Sequence, residues 1–207
     1  MLKASDIAPA EGIRTVGTES VPALTEITAD AFRDDPFNSW LFGGFEPMRR
    51  TFGNLAKHIY TPNGFCQILS EDGEDLAATM WLMPGDKSDT STIGRLQTYW
   101  GMFASGGLGA LQRGKAAGEA MASHHLKGPH AYLFTVGVAS AGRGKGLGRR
   151  LINPVLDACD RSGTIAYLEN SNPANQRFYA SLGFERMELF HATPDSPPLE
   201  AMKRMPR

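Results

Sequence analysis

The stretch Gly142-Arg143-Gly144-Lys145-Gly146-Leu147-Gly148-Arg149-Arg150 is where residue types and spacing point most directly to chemistry. It leaves an apolar run, Tyr132 to Val138, and opens a segment with helical spacing of its apolar residues. Backbone amides at such a helix start converge on an anion, and the helix dipole adds positive potential. Glycine lets phosphate approach the main chain, while Arg143, Lys145, Arg149 and Arg150 can supply neutralising charge. The expected ligand therefore carries a pyrophosphate. Two common phosphate loops do not fit. A Walker A loop needs G-x-x-x-x-G-K-[ST], but Gly137 and Gly142 are followed by Arg143 and Gly144; a G-x-G-x-x-G fingerprint would need glycine at positions such as Leu147 or Leu151.

The elements that must hold this turn are a strand before it and a helix after it. Tyr132-Leu133-Phe134-Thr135-Val136-Gly137-Val138 is a nearly continuous strand-forming run of the kind buried on both faces. Leu147, Leu151, Val155 and Cys159 fall four apart, with Ile152 and Leu156 beside them, so one side of the helix is apolar, and Pro154 is expected to bend it. A short strand from Thr164 to Leu168, a turn at Ser171-Asn172-Pro173 and a helix from Ala174 to Leu182 closed by Gly183 continue an α/β pattern. Phe184 to Phe190 and Leu199 to Met205 read as two closing strands.

Upstream, Ser20-Val21-Pro22 starts a helix with Ser20 as cap, and Leu24, Ile27, Ala31 and Phe32 recur at helical spacing. Asp34-Asp35-Pro36-Phe37 ends it, and an aromatic-rich loop is expected to follow. Pro47 to Tyr60 is a second helix; Phe65 to Leu69 and Leu76 to Met83 form a hairpin around Glu71-Asp72-Gly73-Glu74-Asp75. Pro84 to Ser91 is a polar loop, and Thr92 to His125 reads as mostly helical although rich in glycine.

Arg143-x-x-Gly146-x-Gly148 directly after Val136-Gly137-Val138 resembles motif A of the GNAT acetyltransferases. Asn172-Pro173-Ala174-Asn175-Gln176-Arg177-Phe178-Tyr179-Ala180-Ser181-Leu182-Gly183-Phe184 resembles the family's motif B. Ala31 to Phe42 and Tyr167 to Asn172 are similar to a branch that includes puromycin N-acetyltransferase-like enzymes. The resemblance implies a single-domain α/β GNAT fold over 1–207, with a mixed, mostly antiparallel sheet splayed at the cofactor cleft and flanked by helices. An acceptor-side half of about 1–125 and an acetyl-CoA-binding core of about 130–190 are expected.

It also implies transfer of acetyl from acetyl-CoA directly to a primary amine, of a small molecule rather than a protein, with one group to take the amine's proton and another to protonate the departing thiolate. On the resemblance, the backbone at Val136, Gly137 and Val138 pairs with pantetheine and polarises the thioester carbonyl. Residues Arg143, Gly144, Lys145, Gly146, Leu147, Gly148 and Arg149 wrap the pyrophosphate, Asn175 bonds the pantetheine region, and Tyr179 is the general acid. Glu169 is the candidate base, with a raised pKa if half-buried; its alternatives are to orient the amine or to cap the turn at Asn170 and Ser171 while a water carries the proton. His130 is a second candidate base. The acceptor site is expected from the first half, from the helix ending at Phe32, the Asp34 to Trp40 loop and Trp81, Tyr99 or Trp100, with Asp34 and Asp35 to attract a cationic amine and Trp40 to cover it. A sensor or interaction module that binds acyl-CoA without turning it over, or a protein acetyltransferase, is the alternative reading.

Composition narrows the partners. In 207 residues, 21 basic and 22 acidic side chains leave a net charge of −1, so no bulk field draws the chain to nucleic acid or anionic membrane. Cys66 and Cys159 match neither a disulfide framework nor a metal pair, His124-His125 look like an exposed pair without a third ligand, and no metal is expected. The chain's start lacks a signal-peptide core and no stretch approaches the roughly 20 apolar residues of a membrane span, which places it in the cytoplasm, as a monomer or homodimer.

Overall fold

Asp72 and Gly73 close a two-residue hairpin with φ of 52° and 83°, the left-handed pair that a tight turn between right-twisted strands requires. That hairpin joins β2 (Phe65–Glu71) to β3 (Glu74–Leu82) at the heart of a seven-stranded sheet. The computed structural model describes residues 1–8, 10–86 and 92–207, with the side chains of 92–106 outside the described set. The other strands are β1 (Ile13–Val16), β4 (Ala131–Val138), β5 (Ala166–Asn170), β6 (Glu185–His191) and β7 (Pro198–Arg204), in the order β1-β2-β3-β4-β5-β7-β6. All neighbours run antiparallel except β4 and β5.

The parallel pair is the feature that makes the site. β4 and β5 are in register only through Ala131 with Ala166, Tyr132 with Tyr167 and Leu133 with Leu168. Beyond Leu133, β4 stays with β3 as far as Val138, and Glu169 and Asn170 of β5 stay with β7. The sheet is therefore split, and the second half of β4 presents an unpaired edge. A register shift opposite Met80 and Trp81 also leaves Phe134 without a partner on β3. Such a bulge changes which face the following residues take. Leu133 and Val136 join the same core cluster, whereas Phe134 packs with the aromatic cluster around Phe52. The run expected to be buried on both faces instead alternates between buried and half-buried, because one side of it lines a cleft.

Helices cover both faces. α1 (Val21–Ala31) packs on β3 and β4, with Gly137 against Ala31 and Thr28; on the other face α6 (Leu147–Ser162) packs on β2, β3 and β4. α6 buries Leu147, Leu151, Ile152, Val155, Leu156 and Cys159, as the spacing requires, and continues through Pro154. Each large aliphatic in that row contributes about 1.5–3 kcal/mol by leaving water.

Three expectations need correction. Ile13 to Val16, to which the sequence assigned no element, form β1, an edge strand held by Arg14 to Asp75 at 2.6 and 2.7 Å and to Ser70 at 2.6 Å. The aromatic segment after Asp35 is a helix, α2 (Pro36–Phe42), because Asp35 accepts from the Asn38 amide at 2.8 Å and Pro36 occupies the first turn. Ser20 stands at the start of α1 but its side chain caps nothing. The second helix, α3 (Phe45–Leu55), runs on as a π-helical turn at Ala56–Tyr60 and the short α4 (Thr61–Asn63). α5 (Thr92–His124) breaks at Gly107, whose φ of 60° and ψ of −153° are non-helical. α7 (Gln176–Ser181) ends before Gly183, which takes the expected left-handed φ, 92°.

Candidate active site

Between Val138 and α6 the chain makes a short 3-10 turn, Ser140–Gly142, then passes through Gly144 and Gly146 with φ of 78° and 75°. Those two angles explain the glycines, since open space surrounds the position of any Cβ there. Gly142 has a different reason: a Cβ would lie 3.0–3.2 Å from Leu147, Leu76 and Val138. Among the described residues the amides of Gly144 through Gly148 find no acceptor, while those of Arg149 and Arg150 already turn back to Gly146. A row of free amides at the start of a sixteen-residue helix is a seat for an anion.

The turn is held from α1. Asp30 accepts from the Ser140 amide at 2.7 Å, and this bond, helped by Arg33 and Arg143, holds its carboxyl below the usual aspartate range. Of the four expected cations, Arg143 and Arg149 line the cleft, with Arg149 donating to Ser181 at 2.5 Å. Lys145 and Arg150 are drawn off by Glu71, Lys145 at 3.8 Å, so their side chains lie outside the cleft lining and Lys145 contributes its main chain.

The cleft has a volume of about 430 Å³. Val136, Val138, the glycine turn, Asn175, Phe178 and Tyr179 form its walls, together with Ala31, Phe32, Asp34 and Asp35 at the end of α1. Gly137 points its missing side chain at α1 instead, where it permits the helix to approach. The chemistry of this donor set, free amides and two arginines beside an unpaired strand edge, fits a pyrophosphate carried on an extended arm.

Phe32, Val136, Asn175 and Tyr179 also line a second cavity, of about 300 Å³, which thus adjoins the cleft. Its walls are largely apolar: Phe37, Leu41, Phe42, Phe52, Leu55, Met121 and Phe134 among them. Glu169 is the one carboxylate among its described lining residues. The Glu169 side chain is 2% exposed; Oε1 meets His125 Nδ1 at 2.9 Å, and Oε2 is buried without a partner. Tyr179 packs against Phe178 and Phe184, at ring separations of 5.2 and 6.1 Å, with its edge toward both cavities. Burial, and secondarily the charge of Asp35, raise its phenol above the ordinary tyrosine value.

The remaining acceptor-site candidates are placed differently. Asp35 is spent on structure: one oxygen caps α2 and the other accepts from Ser171 at 2.7 Å, tying the α1–α2 corner to the end of β5. Trp40 packs with Phe37 outside the chamber, and Trp81 is wholly buried in the core. Tyr99 and Trp100 lie outside the described side chains. His124 and His125 are half-buried rather than exposed, and each reaches a carboxylate, Glu188 and Glu169 respectively. Among the described residues no cluster of three or more His, Cys, Asp or Glu is placed to hold a metal, and no helix is long and apolar enough to cross a membrane. Sequence reasoning pointed to the segments that hold Phe32 and Phe37 but missed Asp30, His125, Phe42, Phe52 and Phe134; only the Asp-Pro pair at 35–36 carried a readable capping signal.

Residues 25–184 match the family model described as Acetyltransferase (GNAT) family. An uncharacterized N-acetyltransferase of Schizosaccharomyces pombe is 28% identical over 192 residues, 86% of this chain and 76% of that one. A Corynebacterium glutamicum structure described as histone acetyltransferase HPA2 and related acetyltransferase superposes with a TM-score of 0.70 at 24% identity, covering 94% of this chain and 96% of that one. An Aedes aegypti arylalkylamine N-acetyltransferase 2 shares the fold at a TM-score of 0.60 and 16% identity, over 95% and 100% of the two chains. With a split sheet, a free-amide turn after β4 and a family match across most of its length, this chain belongs to the GNAT family of N-acetyltransferases.

Proposed function

We propose that the chain transfers acetyl from acetyl-CoA to the primary amine of a small molecule, specifically a monoamine on an apolar body. The observation that carries this reading is that the basic cleft and the aromatic chamber adjoin, with Val136, Asn175 and Tyr179 as shared walls. Residues 1–207 act as one unit in this reading. The acceptor part, about 1–125, supplies the phenylalanines, and the acetyl-CoA part, about 130–190, supplies the turn together with Glu169 and Tyr179.

Acetyl-CoA supplies the acyl group and the thiol leaving group. The amides of Gly144, Lys145, Gly146, Leu147 and Gly148, with Arg143 and Arg149, hold its pyrophosphate; Asn175 and the free edge at Val136, Gly137 and Val138 hold the arm. Glu169 takes the proton of the incoming ammonium, and Tyr179 protonates the departing sulfur. Burial pushes the chain's own thiols, Cys66 and Cys159, up to about 12. A thiolate released in an apolar cleft is likewise a stronger base than in water, which narrows the gap to the raised phenol of Tyr179. The described chamber walls hold no cation to meet an acceptor's carboxylate or phosphate and no second acid to meet a second ammonium. The two buried, free thiols support a reducing address such as the cytoplasm.

Calorimetric titration with acetyl-CoA, followed by thiol release over arylalkylamines, alkylamines, diamines, amino acids and N-terminal peptides, tests the proposal. Binding with release favouring apolar monoamines is the expected result. Binding without release on any amine would convert the reading to a sensor, and release only on peptides would convert it to protein acetylation.

A further inference from the structure

Glu169 is shut away from water, yet a base must be discharged once per turnover. When the acceptor arrives as an ammonium ion, a C–N bond forms and the C–S bond breaks. One nitrogen proton ends on sulfur through Tyr179, and one is left over as free H⁺. At 2% exposure the Glu169 side chain cannot pass that proton to solvent directly.

A row of hydrogen bonds leads away from it. Glu169 Oε1 lies 2.9 Å from His125 Nδ1, His125 Nε2 lies 3.2 Å from His130 Nε2, and His130 Nδ1 lies 2.8 Å from the Gly128 carbonyl oxygen. The carbonyl can only accept, so His130 Nδ1 carries hydrogen. Two neutral rings hold two protons, and three bonds in a row need three. The row therefore has a place for one proton beyond an ionised carboxylate and two neutral imidazoles. Burial, with the adjacent His125, lowers the His130 pKa and so favours the inner positions for that proton. Glu169 Oε2 meanwhile has no partner, although buried unpaired acceptors are costly, and an amine N–H in the chamber is its natural complement.

The two ends of the row open on different spaces. Glu169 lines the amine chamber; His125 and His130 line a separate cleft of about 450 Å³, with Gly128, Pro129 and Asp86. Tyr132 and Met121 form the partition between them. The other ionisable groups around the row are the phenols of Tyr60, Tyr132 and Tyr167, all raised first by burial and then by the charge of Glu169, and the outlying pair His124 and Glu188. The phenols keep their protons, so among these neighbours the histidines are the carriers.

Resting on the acetyltransferase reading, we propose that His125 and His130 are a proton exit for Glu169, carrying the amine's proton out through the second cleft rather than past the bound acetyl-CoA. When Glu169 takes a proton from the ammonium ion it becomes a neutral carboxyl. As the carboxyl turns it passes a proton to His125, His125 releases one at its contact with His130, and Glu169 is again a carboxylate, one proton leaving the row for each that enters.

His125→Ala tests this. With an amine that wild-type protein acetylates, turnover falls about a hundredfold, acetyl-CoA affinity by calorimetry is unchanged, and added imidazoles of similar size restore turnover in order of their basicity. Unchanged turnover, or rescue indifferent to basicity, overturns the relay and leaves the acetyltransferase intact. Absence of thiol release by wild-type protein on every amine overturns the acetyltransferase reading first. A measurement needing no variant stands beside these: in the ¹⁵N spectrum of histidine side chains, His125 and His130 lose one shared proton in a single step as pH rises. Two independent ring titrations would sink the proposal.

Discussion

The glycine turn and the amine chamber meet at Tyr179 but are built on opposite plans. The turn is one contiguous stretch, 142–150, whose main chain presents the free amides and whose side chains are half diverted: Lys145 and Arg150 serve Glu71. The chamber instead gathers residues from α2, α3, α5, β4 and β5, with Phe32 after α1, Tyr179 of α7 and Leu199 of β7, most of them apolar. A ligand common to many proteins can be held by backbone geometry, which tolerates side-chain change. A particular acceptor has to be recognised by side chains, which do not.

That contrast can be broken in order of expected effect. Gly146→Asp places a Cβ at a φ of 75° and a carboxylate among amides that face an anion. The left-handed backbone alone costs about 1–2 kcal/mol for a residue with a side chain, and acetyl-CoA affinity should fall about a hundredfold or more, or about 2.7 kcal/mol. Unchanged affinity in calorimetry would remove the turn from the site.

Tyr179→Phe should lower turnover about a hundredfold while leaving acetyl-CoA affinity as it was. In the proposed role Tyr179 works only when protonated, and its pKa is raised. Wild-type turnover should therefore show no descending limb from this group until the pH is above about 10, the ordinary tyrosine value. A descending limb near neutrality that disappears in Tyr179→Phe would contradict that environment.

Phe52 touches Phe32, Phe42 and Phe134 and is 4% exposed. Phe52→Leu should cost about 1–2 kcal/mol in thermal or denaturant unfolding and shift KM several-fold in favour of bulkier amines. Acetyl-CoA affinity should not move; if it does, the two regions are not separable at this wall.

Asp30→Asn should have the smallest effect, a two- to three-fold loss of acetyl-CoA affinity through a looser Ser140, since a neutral amide still accepts a hydrogen bond. The Asp30 carboxyl is depressed, so its contribution is present above the ordinary aspartate pKa and is lost as pH falls through the lowered value. Wild-type affinity should hold as pH drops through about 4, and loss of affinity well above that point would show that Asp30 is not the group responsible.

Most of what was legible in the letters was local. Asp72-Gly73 announced a hairpin, the four-residue spacing from Leu147 to Cys159 announced α6, and Gly183 announced a left-handed stop, because each depends on near neighbours. β1 went unread: four residues with little alternation become a strand only when β2 offers an edge and Asp75 a partner for Arg14. α2 was hidden by its aromatics, although Asp35 and Pro36 held the capping signal. His125 and Glu169 are 44 residues apart, and nothing short-range joins them.

The order of residues by itself determined a strand, a turn of left-handed glycines and an amphipathic helix, and with them the site for an anion, because hydrogen bonding and φ preferences act over a few residues. Only the tertiary structure decided that Phe134 would bulge and β4 would part from β5 after Leu133, that Asp35 would be used as a tie, and that a buried carboxylate would face an apolar chamber with two histidines behind it. Those outcomes depend on the packing of α1 and α5 against the split sheet, and burial sums contributions from segments that are distant in the chain.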